Sequence, residues 1–169
     1  MEDKYICASD KLFYGSKYIA LSLEVEGLPE KVSIQGMTLQ RKSSFHCSLL
    51  CVNNILGLQS DLEDQILTFF CSFAKENDIS FVRYTGEFRY AVDGERRSLI
   101  ALCEISNLAK FSNALGEKLG MQIPEQPTHV TLYTLQPDAG IGLNSREEME
   151  TKSTTVIPPE EVRSAPALN

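Results

Sequence analysis

The chain has 169 residues, 43% of them hydrophobic and 23% charged, enough for one globular domain with a proper core. Its net charge of −7 argues against a protein that grips long duplex nucleic acid through many phosphate contacts, and favours a small partner or a nucleic-acid end. No run approaches the roughly 18 apolar residues of a membrane span, and Met1–Lys4 leads into no signal-peptide core, so the expectation is a cytoplasmic protein with no membrane partner.

Residues 1–16 mix charge with Tyr5, Phe13 and Tyr14 and show no sustained period. Tyr18 to Val25 alternates as a strand and stops at Gly27-Leu28-Pro29. Residues 28–44 read as a connection that contains the polar run Gln40-Arg41-Lys42-Ser43-Ser44. Phe45 to Val52 is a second strand. Ser60 or Asp61 caps a helix in which Leu62, Ile66, Phe69, Phe70 and Phe73 form an apolar stripe, with Glu63 and Asp64 at the positive end of its dipole. Such a stripe belongs to a core. Ile79 to Val92, the turn Asp93-Gly94, and Arg96 to Ile105 make a hairpin. Ser106-Asn107 opens a second helix with Leu108, Phe111, Leu115 and Leu119 on one face. Pro124 and Pro127 bracket the entry to a strand from Thr128 to Tyr133. A loop with Gly140 and Gly142 follows, placed to form the rim of a site, and Ser145 caps a short helix. Residues 1–150 thus read as one domain and 151–169, with three prolines, as an extended or disordered tail.

The five cysteines, Cys7, Cys47, Cys51, Cys71 and Cys103, are an odd set without framework spacing, and read as reduced thiols. Alternation turns Cys47 away from His46, against a nucleophilic role. With two histidines and no C-x-x-C, neither a metal nor a cofactor is expected.

Both histidines occur in the pattern His-x-Ser/Thr within a short apolar run: His46-Cys47-Ser48 and His129-Val130-Thr131. Residues i and i+2 of a strand share a face, so each imidazole stands beside a hydroxyl. Either motif alone reads better as a half-buried strand histidine with satisfied hydrogen bonds. The pair together points to chemistry: two imidazoles titrating near neutrality can move protons on both sides of an anion, and two hydroxyls can donate to its oxygens.

In these two motifs, and above all in Pro127-Thr128-His129-Val130-Thr131-Leu132-Tyr133, the chain resembles the 2H phosphoesterases. Ser48 stands where that family more often has Thr, which keeps the hydroxyl. The resemblance spans residues 17–145. It implies an α+β fold of two pseudo-symmetric lobes of antiparallel sheet with helices outside and an active-site cleft between them. It also implies metal-independent phosphodiester chemistry with His46, His129, Ser48 and Thr131 as catalytic residues. Substrates would be nucleoside 2′,3′-cyclic phosphates, 2′-5′-linked or cyclic oligonucleotides, or RNA ends. Tyr133, by alternation on the His129 face, and Tyr14 are candidates to stack on a base, and Arg83 to anchor a phosphate. The alternative is a module of the same fold that binds a nucleotide or RNA end without turnover.

Overall fold

Alternating apolar runs become strands and the two apolar stripes become the two longest helices. A computed structural model describes residues 4–56 and 60–169. In chain order its elements are β1 (Lys4–Tyr5), β2 (Leu12–Gly15), β3 (Tyr18–Leu23), β4 (Lys31–Ile34), β5 (Met37–Arg41), β6 (Phe45–Cys51), α1 (Asn53–Leu56), α2 (Glu63–Glu76), β7 (Phe81–Asp93), β8 (Arg96–Ile105), α3 (Leu108–Leu119), β9 (His129–Thr134), α4 (Arg146–Lys152), β10 (Ser153–Val156) and α5 (Glu160–Arg163). The strands form a sheet in the order β1-β2-β3-β6-β9-β8-β7-β10, each pair antiparallel. The β4–β5 hairpin joins it through β5, which pairs with the end of β9. The fold is α+β.

One sheet face is buried under α2 and α3, which meet through Phe70 and Phe111, edge to face at 5.0 Å between centroids. Cys47, Leu99, Ala101 and Val130 belong to this core. A second, smaller cluster of Ala91, Ile100, Ile141, Leu143 and Met149 packs the loop after β9 and helix α4 onto the sheet. Because Ile100 pairs with Thr131 whereas Ala101 pairs with Val130, this second cluster lies on the opposite face from the helices.

Several sequence expectations need correction. Residues 28–44 are a paired hairpin, with Val32, Ile34 and Leu39 buried. Residues 151–169 are part of the fold: β10 pairs with β7, and Val162, Ala165 and Leu168 enter the main core. A few apolar side chains spaced among prolines suffice there because the sheet supplies a docking surface. Helix α2 starts at Glu63, one or two residues later than expected, after a 3-10 turn over Ser60–Leu62, and Leu62 at its N-cap makes no side-chain cap bond. Ser145 does cap α4, accepting from the Glu148 backbone N–H at 3.1 Å. Arg83, far from acting as an anchor, is exposed and forms a two-pronged pair with Glu104 at 2.8 and 3.0 Å.

The thiols also divide. Cys47, Cys51 and Cys103 are buried and free, but Cys7 and Cys71 form a disulfide that pins the segment between β1 and β2 to α2. The two cysteines are 64 positions apart, so spacing alone gave no sign of the pairing. Among the described residues no helix is long and apolar enough to cross a membrane.

The disulfide is directly countable. Denatured without reductant, the protein should expose three thiols to a thiol reagent, and five after reduction. Closing so long a loop limits the unfolded chain, so Cys71→Ser should lower stability by about 2–4 kcal/mol in a denaturant titration.

Candidate active site

A single antiparallel residue pair, Cys47 with Val130, joins β6 to β9 in the middle of the sheet. Both side chains point into the helix-covered core and are fully buried. Their neighbours along each strand therefore point to the other face. Antiparallel pairing sets His46 beside Thr131 and Ser48 beside His129, so each imidazole faces the hydroxyl of the other motif.

Immediately beyond each hydroxyl the strand carries one extra residue. Ile19 pairs with Leu50 and Ala20 with Ser48, leaving Leu49 unpaired on β6. Leu99 pairs with Tyr133 and Ile100 with Thr131, leaving Leu132 unpaired on β9. Such bulges reverse the alternation beyond them. This corrects the reading of Tyr133, which points into the main core, fully buried, and donates its hydroxyl to the Pro29 carbonyl at 2.7 Å. Burial pushes its phenol up to about 12. Tyr14 is also outside the site. It pairs with Ile19 on the core face, and its hydroxyl donates to Glu63 Oε1 at 2.6 Å.

The four motif residues line one cavity of about 350 Å³, with Phe13, Tyr18, Lys42, Gln126, Asp138 and the loop 140–144. Phe13, paired with Ala20, is the aromatic that alternation brings to this face. Its ring meets His46 edge to face at 5.7 Å. Tyr18 donates to Asn144 Oδ1 at 3.0 Å and so ties β3 to the loop after β9. A larger cavity of about 770 Å³ lies by the disulfide, but its lining includes no histidine.

No family model matches the chain, and no curated protein or solved structure matches it either. The site must be read from its own geometry.

His129 is 9% exposed, and its Nδ1 lies 3.0 Å from the Pro127 carbonyl oxygen. A carbonyl only accepts, so Nδ1 carries the proton and Nε2 holds a lone pair when the ring is neutral. Burial holds the ring below the usual imidazole range, outweighing the opposite pull of the Pro127 bond. At neutral pH His129 is therefore a base. His46 is half-buried.

Sequence reasoning passed over Phe13, Tyr18 and Lys42. Phe13 and Tyr18 follow from their register on β2 and β3, once those strands are known to pair. Lys42 stood in a polar run that gave no sign of facing inward. It is half-buried, and burial lowers its ammonium against the opposing charge of Asp138. The Asp138 carboxylate accepts from the Ser43 backbone N–H at 3.0 Å and from Ser43 Oγ at 2.9 Å, which holds it below the usual carboxylate range.

Two outcomes follow from this geometry. In an NMR titration the His129 ring should show a midpoint below the ordinary imidazole value of about 6.5. Because the folded value is the lower one, the unfolded chain takes up the proton first. The contribution of His129 to stability is thus complete above about pH 6.5 and falls as pH drops toward the folded midpoint. Tyr133→Phe should cost about 1–3 kcal/mol of stability by stripping the Pro29 carbonyl of its donor, and leave the site's ligand binding unchanged.

Proposed function

We propose that the protein is a metal-independent phosphodiesterase acting on a small nucleotide or RNA-end substrate. The observation that carries this reading is the one antiparallel pair of Cys47 with Val130, which sets His46 across from Thr131 and Ser48 across from His129. That places two imidazoles and two hydroxyls around one small cavity.

The chemistry follows from the tautomer. His129 Nε2 takes a proton from the attacking water, or from a ribose hydroxyl, as its oxygen forms a bond to phosphorus. The bond from phosphorus to the leaving ribose oxygen breaks, and protonated His46 supplies the proton to that oxygen. Ser48 and Thr131 donate hydrogen bonds to the non-bridging oxygens, where charge accumulates. The assignment of base and acid rests on the buried, carbonyl-bonded state of His129.

The two-lobe architecture of the 2H phosphoesterases belongs to the same reading. In support, the strands fall into β1-β2-β3-β6 and β9-β8-β7-β10, four on each side of the one joining pair. Each motif strand is bulged one residue after its hydroxyl. Phe13 beside His46 offers a ring to a base at the cavity wall, the role first expected of Tyr133.

The test is hydrolysis, with EDTA present, of 2′,3′-cyclic nucleotides, 2′-5′ dinucleotides and cyclic dinucleotides. His46→Ala and His129→Ala should each lower kcat/KM by at least about a hundredfold in a chain that stays folded by circular dichroism, His129→Ala with a lower thermal midpoint because it empties a buried position and strips the Pro127 carbonyl of its donor. Full activity in either variant rules the mechanism out. Saturable binding of one compound without product in the wild type assigns the protein to a sensing role instead.

A further inference from the structure

We infer that Lys42 is the anion-holding side chain of this site, neutralising the phosphoryl group that the two histidines act on. The inference rests on the phosphodiesterase reading and adds the charge that reading lacks. Two neutral hydroxyls, a neutral His129 and a His46 that gives up its proton during the reaction leave the substrate's negative charge without a lasting counter-charge inside the cavity.

Lys42 is placed by the same irregularity that shapes the motif. One edge of β9 pairs first with β6, at Val130, and then with β5, at Tyr133 and Thr134. The connection from β5 to β6 is Lys42-Ser43-Ser44, so it crosses the fork between those two pairings. There the Lys42 backbone N–H donates at 2.9 Å to the carbonyl of Leu132, the extra residue of the β9 bulge. The lysine is thereby fixed one residue from Thr131 along the partner strand, and lines the cavity with all four motif residues.

Its ammonium has no hydrogen bond and no ion pair among the described residues. Asp138 is the acidic residue of that cavity; its carboxylate is hydrogen-bonded by Ser43 and attracts Lys42 from a distance without forming an ion pair with it. Asp138 adopts a left-handed backbone at φ 54°, an unfavourable conformation for a residue with a side chain. The Ser43 contacts hold it there, and they draw the loop after β9 against the 42–44 connection. The arrangement presents a half-buried cation to the cavity, with its acidic neighbour held by Ser43 rather than in contact with the ammonium. A phosphodiester monoanion or a phosphate monoester is the ligand such a cation takes.

Lys42→Gln removes the charge at similar length, and Lys42→Arg retains it. The only two histidines give two imidazole signals, so binding of inorganic phosphate is read by NMR at His46 and His129 directly. The same variants are assayed on 2′,3′-cyclic nucleotides. Lys42→Gln should weaken phosphate binding and lower kcat/KM by about ten- to a hundredfold, with the thermal midpoint unchanged, and Lys42→Arg should recover most of both. Wild-type phosphate binding and turnover in Lys42→Gln, beside an active wild type, overturns the role of Lys42 and leaves the phosphodiesterase reading standing. A wild type whose imidazoles respond to neither phosphate nor any cyclic nucleotide overturns both.

Discussion

The pairing of Cys47 with Val130 is the constraint on which the rest of the site depends. Both side chains are buried in the core, so the residues before and after each are committed to the other face. Shifting this pair by one residue would turn the imidazoles into the helix-covered core and the apolar set toward the cavity, because side-chain orientation in a strand alternates with period two. The core behind the pair resists such a slip: Cys47 Sγ lies 3.7 Å from Cys103 Sγ on β8, and α2 and α3 close over the same face. The contact with Cys103, and then burial, raise the Cys47 thiol well above its ordinary value. This cysteine between His46 and Ser48 is packing, turned away from the chemistry.

The two bulges explain why the paired region is so short. After Ser48 and after Thr131 each strand gains a residue, and an extra residue breaks the ladder and bends the strand. The freed edge of β9 is taken by β5, and the fork that results holds Lys42 at the site. A feature that is a local irregularity of hydrogen bonding thus decides which side chains reach the cavity. It removes Tyr133 and admits a lysine.

Much of this was legible in the sequence, and the failures have specific causes. The motif strands, the Asp93-Gly94 hairpin, the apolar stripes of α2 and α3 and the Ser145 cap all follow from local periodicity and local hydrogen-bonding chemistry. The bulges do not, since Leu49 and Leu132 are as apolar as their regular neighbours, and an unbroken alternation puts Tyr133 on the wrong face. Residues 1–16 show no sustained period from which to read a face, and only the register with β3 turns Phe13 to the site and Tyr14 to the core. The contacts of Cys7 with Cys71 and of β10 with β7 join segments more than 60 residues apart, where no short-range pattern operates.

The helix layer on the far face reaches the site through the thin N-terminal ribbon. Glu63 at the start of α2 accepts from both Tyr14 and Lys17, which flank the turn between β2 and β3. Those contacts hold the Glu63 carboxyl low and the Tyr14 phenol high, the latter chiefly through burial, so the cluster is made of the ionised acid and the neutral phenol at neutral pH. The disulfide adds a covalent hold on the preceding turn. One residue away from Tyr14, on the opposite face of the same short strand, Phe13 rests against His46. In a strand of four residues the two faces cannot move independently. The anchors that fix Tyr14 on the core side are therefore also what keep an aromatic wall beside the imidazole.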